Sequence, residues 1–237
     1  MTKDYFAGDV AGRYDGSSAE MFAPEVVAPT VAFLADLAGG GPALELGIGT
    51  GRIALPLAEQ GVPVHGIDLS PDMVAQLRAK PGGSVIPVEI GDFAATRVDG
   101  SFALVYVVFN TFNNLTTQEA QVACVENVAA HLAPGGAFVV EAGVPNTASL
   151  QVFDLTDDHV GVDEYDPATQ RLVSHHFTLV DGSWRRLSVP FRAVSPAELD
   201  LMARFAGMRL RERWSGWRRE PFTAKSTKHV SVWEKTA

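Results

Sequence analysis

The chain has 237 residues, 46% of them hydrophobic, with 19 Lys and Arg against 28 Asp and Glu and a formal net charge of −9. That length can bury one substantial core, and the negative balance argues against a nonspecific nucleic-acid binder, which works by neutralising phosphates. The longest apolar run, residues 102–109, is far short of a bilayer span and no apolar signal region follows Met1, so a cytoplasmic protein with no membrane partner is expected.

In chain order, Gly8, Gly12 and Gly16 lie among aromatics and charges, so residues 1–20 are expected to form a mobile lid, with a helix over 22–38. From 42 to 142 apolar runs alternate with helical patterns, the signature of parallel strands joined by crossover helices. Strands are expected near 42–47, 63–68, 84–90, 102–109 and 136–142. Ser70-Pro71-Asp72 caps one intervening helix, and Thr116 with Glu119 reads as a capping box before another. Pro134-Gly135-Gly136 is expected to stop that helix and turn into the fifth strand. Cys124, the lone cysteine, reads as a buried helix residue. After residue 145 the pattern becomes antiparallel, with strands around 158–164, 171–180 and 183–193 and a hairpin turn at Asp181-Gly182. Ser195-Pro196 caps a last helix, Gly207 ends it, and strands near 208–214 and 228–234 follow.

The most informative segment is Ala43-Leu44-Glu45-Leu46-Gly47-Ile48-Gly49-Thr50-Gly51, a strand ending in a carboxylate and three glycines. A dinucleotide fingerprint needs glycine where Arg52 stands. Glu45 would repel a pyrophosphate but attract S-adenosylmethionine, a phosphate-free nucleoside bearing a sulfonium and an ammonium. The pattern resembles motif I of the class I S-adenosylmethionine-dependent methyltransferases. Asp68 follows Gly51 by seventeen residues, at the end of the next strand, where a carboxylate grips ribose hydroxyls. Met73, in the first turn of the following helix, can lie on the adenine face, and Gly91-Asp92-Phe93 can read the adenine edge through an acceptor and a backbone amide. Leu69 and Phe109 complete the expected cofactor set. The resemblance covers about residues 40–143 and extends to Ala11-Gly12-Arg13-Tyr14-Asp15, implying that Tyr14 closes over the methionine end of the cofactor.

The resemblance implies an α/β fold: a Rossmann-like, doubly wound, seven-stranded mixed sheet with helices on both faces, an N-terminal helical lid and an antiparallel β insertion after strand 5. Residues 1–237 then form one domain, with the lid and first helix at 1–38, the cofactor core at 40–143, a substrate-side insertion at 145–193, and 195–237 completing the sheet. The implied reaction is in-line methyl transfer to an N or O atom of a small-molecule acceptor, an amino sugar or other natural-product intermediate, leaving S-adenosyl-L-homocysteine. Alternatives are a different reaction in the same pocket, or a non-catalytic ligand-binding protein of this fold.

Asn110 to Asn114 fall where the fold faces the reacting centre, and Asn110 and Tyr14 are catalytic candidates. No acid lies between Asp99 and Glu119, so no metal is expected. His175 and His176 are adjacent on a strand, so one should face the cleft and is a candidate base. Trp184 can wall a pocket or anchor core. His131, in a last helical turn, reads as structural through its charge on the helix dipole. Arg209, Arg211 and Arg213 read as a solvated edge, or as forks for a phosphate-bearing substrate. No pattern fixes the oligomeric state, and a homodimer stays open.

Overall fold

The structure is a computed structural model describing residues 3–146 and 148–236. Helix α1 (Asp9–Ser17) and a short 3₁₀ turn lead to α2 (Pro24–Ala38). Strands β1 (Ala43–Leu46), β2 (Val64–Asp68) and β3 (Val88–Ile90) alternate with α3 (Ala54–Glu59) and α4 (Pro71–Ala79). Then come β4 (Phe102–Val107), α5 (Gln118–His131) and β5 (Leu132–Gly143). The insertion holds β6 (Leu150–Leu155), β7 (His159–Asp166), β8 (Arg171–Val180) and β9 (Ser183–Arg192), and α6 (Pro196–Phe205), β10 (Met208–Trp214) and β11 (Lys228–Lys235) follow.

Seven strands form one mixed sheet in the order β10-β11-β5-β4-β1-β2-β3, and β6 to β9 form a second, antiparallel sheet. β1 to β5 run parallel, while β11 is antiparallel to β5 and β10 to β11. In β4, Leu104 and Tyr106 pack with Phe33, Leu34, Leu57 and Leu77 on one face. Val105 and Val107 pack with Cys124, Val125, Leu199 and Met202 on the other. That double burial is why β4 reads as a continuous apolar run. β1 lies between β2 and β4, so successive crossovers leave it in opposite directions and their loops part at the strand ends, opening a crevice.

Ser70 accepts from the Met73 amide at 3.4 Å and Ser195 from the Glu198 amide at 3.2 Å, as their cap patterns imply. The cap of α5 is Thr117, which accepts from the Ala120 amide at 3.1 Å, so the box placed at Thr116 is one residue early. Within residues 3–20 the chain forms α1, in keeping with the helical N-terminal segment expected. Strand 84–90 shortens to β3: Gly82 takes a φ of 76° into a 3₁₀ turn over 83–85, and Pro87 offers no ladder amide. Pro134-Gly135-Gly136 is an irregularity inside β5, whose register against β4 jumps from Phe102–Leu132 to Leu104–Ala137. The insertion has a fourth strand, β6, beyond the three expected. Its hairpin turn is as expected, with Asp181 at φ 51° and Gly182 at φ 73°.

Candidate active site

A cavity of about 490 Å³ lies at the C-terminal ends of the central strands, a volume suited to a small ligand or cofactor. Glu45, at the end of β1, lines it while being buried, and its carboxyl accepts the Tyr106 hydroxyl at 2.9 Å. Loss of solvent pushes its pKa up to about 8, against the opposing effects of the Tyr106 hydrogen bond and the Arg52 charge. Near neutrality the carboxyl therefore holds its proton, and a cation beside it favours ionisation.

Gly47 and Gly49 also line the cavity. Gly47 has φ 71°, and a Cβ there would stand 2.5 Å from Thr111 Cγ2, so only glycine lets the loop meet the segment after β4. Gly51 is outside the lining: a Cβ on it would stand 2.3 Å from Leu77 Cδ1, so it admits α4 rather than a ligand. Asp68 accepts the Gly49 amide at 2.7 Å on one oxygen and the Ser70 amide at 2.8 Å on the other. The Leu69 amide also faces the carboxylate, which still leaves capacity to accept a further donor. Burial raises its pKa, opposed by those amides. Leu69 and Met73 continue this wall, and Asp92 and Phe93 extend it after β3, where Asp92 also accepts the Ala94 amide at 2.9 Å. Gly91 does not line the cavity; its amide donates to the Asp68 carbonyl at 2.8 Å, tying β3 to β2.

Across the cavity, the chain leaves β4 through Phe109 and Asn110, both in left-handed backbone at φ 57° and 59°. Such strain persists only where the surroundings enforce it. Phe109 lines the cavity under the Arg52 guanidinium, 4.8 Å from its ring centre, and its amide donates to Glu141 at 2.9 Å. Asn110 is outside the lining and accepts the Gly143 amide at 2.6 Å, bracing β4 against β5. Thr111, Asn114 and Thr116 face the cavity instead. From the N-terminal segment, Lys3, Asp4, Tyr5, Phe6 and Tyr14 close it, with Phe6 and Tyr14 edge to face at 6.1 Å. Burial raises the Tyr14 pKa. Asp15 accepts the Thr50 hydroxyl at 2.6 Å and pairs with Lys80, which also donates to the Thr50 carbonyl at 2.8 Å.

Neither His175 nor His176 lines the cavity. His175 contacts Ser188 at 2.8 Å and Glu164 at 3.5 Å. His176 shares a sheet face with Val189, which does line the cavity, but sits one row farther along. Trp184 is outside the lining, beyond the Asp181-Gly182 turn. His131 is structural but not through charge: its Nε2 accepts the Val98 amide at 3.0 Å, so that nitrogen carries no proton, and burial lowers its pKa. Arg213 is held by Asp200, at 2.7 Å, and Arg209 by Glu234, at 3.1 Å, at the β10 edge. Sequence reasoning missed Arg52 as a lining residue, along with Thr50, Tyr5, Phe6, Val189 and Pro190. Arg52 had a signal, a cation beside the glycine loop; the contacts from residues 5, 6, 189 and 190 depend on tertiary structure.

The lining fits a cationic nucleoside: three carboxyl groups sit at consecutive strand ends, and close backbone approach is possible at Gly47. Among the described residues no cluster of three His, Cys, Asp or Glu has metal-holding geometry, and no helix is long and apolar enough to cross a membrane. Residues 43–136 match the profile of a family described as "Methyltransferase domain". The chain is 30% identical over 207 residues to the cypemycin N-terminal methyltransferase of a Streptomyces species, covering 83% of this chain and 84% of that protein. The CcbJ methyltransferase of Streptomyces caelestis superposes with a TM-score of 0.89 at 35% identity, over 99% of this chain and 100% of that one. CalS10 of Micromonospora echinaspora, an amino pentose methyltransferase solved with S-adenosylmethionine bound, shares the fold with a TM-score of 0.71 at 21% identity, over 100% of both chains. The chain therefore belongs to the class I S-adenosylmethionine-dependent methyltransferases.

Proposed function

We propose that this methyltransferase acts on an uncharged amine nitrogen of a small, polar natural-product intermediate, leaving S-adenosyl-L-homocysteine as the second product and using no metal. When bound, S-adenosylmethionine supplies a methyl group on a sulfonium, open to in-line displacement. Glu45 is assigned to the cationic methionine end and Arg52 to its carboxylate. Asp68 takes the ribose hydroxyls beside Leu69, Met73 packs on the adenine face, and Asp92 with the Phe93 amide reads the adenine edge. Gly47 and Gly49 admit the cofactor, Gly51 and Gly91 shape the walls behind it, and Tyr14 and Phe109 exclude water over the reacting centre.

One observation carries the choice of nitrogen. The wall from Phe109 to Thr116, with Val189 and Pro190, presents hydroxyls and amides; the carboxylates of the lining lie elsewhere, at Asp4, Glu45, Asp68 and Asp92, and no histidine lines the cavity. An oxygen nucleophile benefits from a base, whereas an amine need only arrive uncharged. Tyr14 keeps its phenolic proton at neutrality because burial raises its pKa, so it is not poised to accept one. Alignment and water exclusion can then supply much of the acceleration, on the order of 7–11 kcal/mol for well-positioned reactants. The printed names of the cypemycin and amino pentose relatives also point to nitrogen chemistry.

The insertion supports a polar acceptor. Ser174, cross-strand neighbour of Val189, starts a chain through His176 (3.4 Å), His159 (3.2 Å) and Asp154 (2.6 Å). These side chains stand on successive rows outside the cavity lining and are assigned to the distal polar groups of an acceptor that extends beyond the cavity, while Asn110 and His175 keep structural roles.

The test is a matched pair of small acceptors differing only in an amino or hydroxyl group, incubated with methyl-labelled S-adenosylmethionine. The amine should be methylated, faster as pH rises through its pKa, and the alcohol should remain inert. Methylation of the alcohol alone overturns the choice of nitrogen, and absence of S-adenosylmethionine binding by calorimetry overturns the pocket assignment.

A further inference from the structure

Two stretches far apart in sequence form the wall across the cavity from the glycine loop: the segment after β4, up to Thr116, and Val189 with Pro190 on β9. β9 also packs on the 3₁₀ turn over Thr111–Asn114. The bonds that set the gap between them lie just outside the cavity. Arg192, two residues past Pro190, is only 5% exposed, and its guanidinium donates to the side chains of Gln121, Gln170 and, at 2.7 Å, Glu198. Gln121 returns its own amide to the Arg192 carbonyl at 3.0 Å. Glu198 accepts in turn from Gln170 at 3.0 Å and from Gln118, two residues past Thr116, at 2.9 Å. Burial works to raise the Glu198 pKa, yet its bonds from Arg192, Gln118 and Gln170 hold it below the ordinary carboxylate value.

We propose that Arg192 and Glu198 are positioning residues for the methyl acceptor: their clasp sets the separation of the two stretches, and with it the place of the acceptor nitrogen. This rests on the reading above that the wall is the acceptor's. The connections from clasp to wall are short and stiff. Gln118 opens α5 just after Thr116, and Gln121 follows within its first turn. Arg192 stands ~7 Å along β9 from Pro190, two residues at ~3.4 Å each. Gln170 brings in the turn between β7 and β8. It is held in left-handed backbone at φ 59°, and its carbonyl accepts the Ala193 amide at 3.0 Å, a conformation that persists only where the surroundings enforce it.

Stability alone gives little reason for such a pair. Taking two charges out of water costs about as much as their attraction returns, and apolar side chains of like volume would join these elements as well. What an apolar contact lacks is direction. A planar guanidinium fixes each partner at a set angle, which an ammonium cannot do. At a reacting centre, a misplacement of ~1 Å can cost about 100-fold in rate. The cofactor's side of the cavity is held by other bonds, those of Glu45 with Tyr106 and of Asp68 with the Gly49 and Ser70 amides. The clasp therefore acts on the acceptor's place and leaves the cofactor's alone.

The test compares Glu198→Gln and Arg192→Lys with Asp200→Asn, which breaks a different ion pair of α6, the one with Arg213. In the full chain with S-adenosyl-L-homocysteine bound, amide hydrogen exchange at residues 111–116 and 186–191 should speed up about tenfold or more in both clasp variants. For the amine of the matched acceptor pair, kcat/KM should fall about 10- to 100-fold, while the S-adenosylmethionine Kd by calorimetry stays within about two-fold, as for an independent site. Asp200→Asn should lower Tm and leave exchange at the wall and kcat/KM unchanged. Gln118→Ala, at an exposed bond to Glu198, leaves the buried pair in place and should speed exchange at residues 111–116 to a smaller extent. Unchanged exchange at both stretches, an unchanged kcat/KM, an equal loss of S-adenosylmethionine binding, or the same response to Asp200→Asn overturns the proposal. Failure of the wild type to methylate the amine overturns the reading of the acceptor instead, and the exchange comparison still judges the clasp.

Discussion

Glu45 sets burial against charge within one side chain. It lines the cavity and yet keeps its proton at neutrality, because the Tyr106 hydroxyl, the Arg52 charge and the Ala54 amide do not offset the water it has lost. A bound cation reverses that balance. Binding of S-adenosylmethionine at pH 7 should therefore release a proton, read by calorimetry as a heat that varies with the ionisation enthalpy of the buffer. Glu45→Gln should abolish the release and weaken binding by about 1.5–3 kcal/mol, the range for a hydrogen bond to a charged group. An unchanged buffer dependence in that variant would remove Glu45 from the cofactor's cation. Asp68 does two jobs, since its oxygens also hold the Gly49 and Ser70 amides. Asp68→Ala should both weaken S-adenosylmethionine binding by a few kcal/mol at most and lower Tm, whereas Asp68→Asn, which keeps one acceptor, should lose binding with less loss of Tm.

Helix α1 buries only Ala11 and has no side-chain cap, so its position depends on its ties to the rest of the chain. Lys80 is the centre of those ties: it pairs with Asp15, donates to the Thr50 carbonyl and lies 5.3 Å from the Phe22 ring centre. Partly exposed ion pairs contribute about 0–1 kcal/mol. Lys80→Ala should accordingly raise the S-adenosylmethionine off-rate about two- to five-fold in stopped-flow fluorescence, with little change in Tm; an unchanged off-rate would mean that α1 does not gate the cavity. The legible elements were those with local signals. Ser70-Pro71-Asp72 identifies the start of α4 because a cap and a first-turn proline act within one turn. Thr116 and Thr117 compete for the same role, and tertiary contacts turn Thr116 to the cavity. Strand β6 is obscure because Leu150, Val152 and Leu155 stay exposed while Phe153 packs over Gly161 and against His176, so no burial periodicity marks it. In the site, Asp68 and Met73 were legible from a motif, whereas Phe6 and Val189 reach the cavity from segments more than 30 residues outside that motif.

Over the whole molecule, buried groups push stability in opposite directions with pH. Burial lowers the pKa of His131 and His176, and that of His229 to about 4, while an unfolded histidine titrates near 6.5. As pH falls below 6.5 the unfolded chain takes up protons that the folded one refuses, so stability is lost on the acid side. Glu45 acts in the other direction. Its folded carboxyl keeps a proton up to about 8, while the unfolded one releases it near 4.5, so stability falls as pH rises through that window and levels off above it. Burial shifts Asp68 and Asp163 in the same direction from 3.8. Thermal denaturation from pH 4.5 to 9 should thus show a maximum at about pH 6–7, where neither limb dominates. Glu45→Gln should flatten the alkaline limb and leave the acid limb, and saturating S-adenosylmethionine should do the same to the wild type by giving the ionised carboxylate a partner. If Glu45→Gln leaves the alkaline limb intact, the proton held in the cavity is not on Glu45, and the electrostatic account of cofactor selection fails with it.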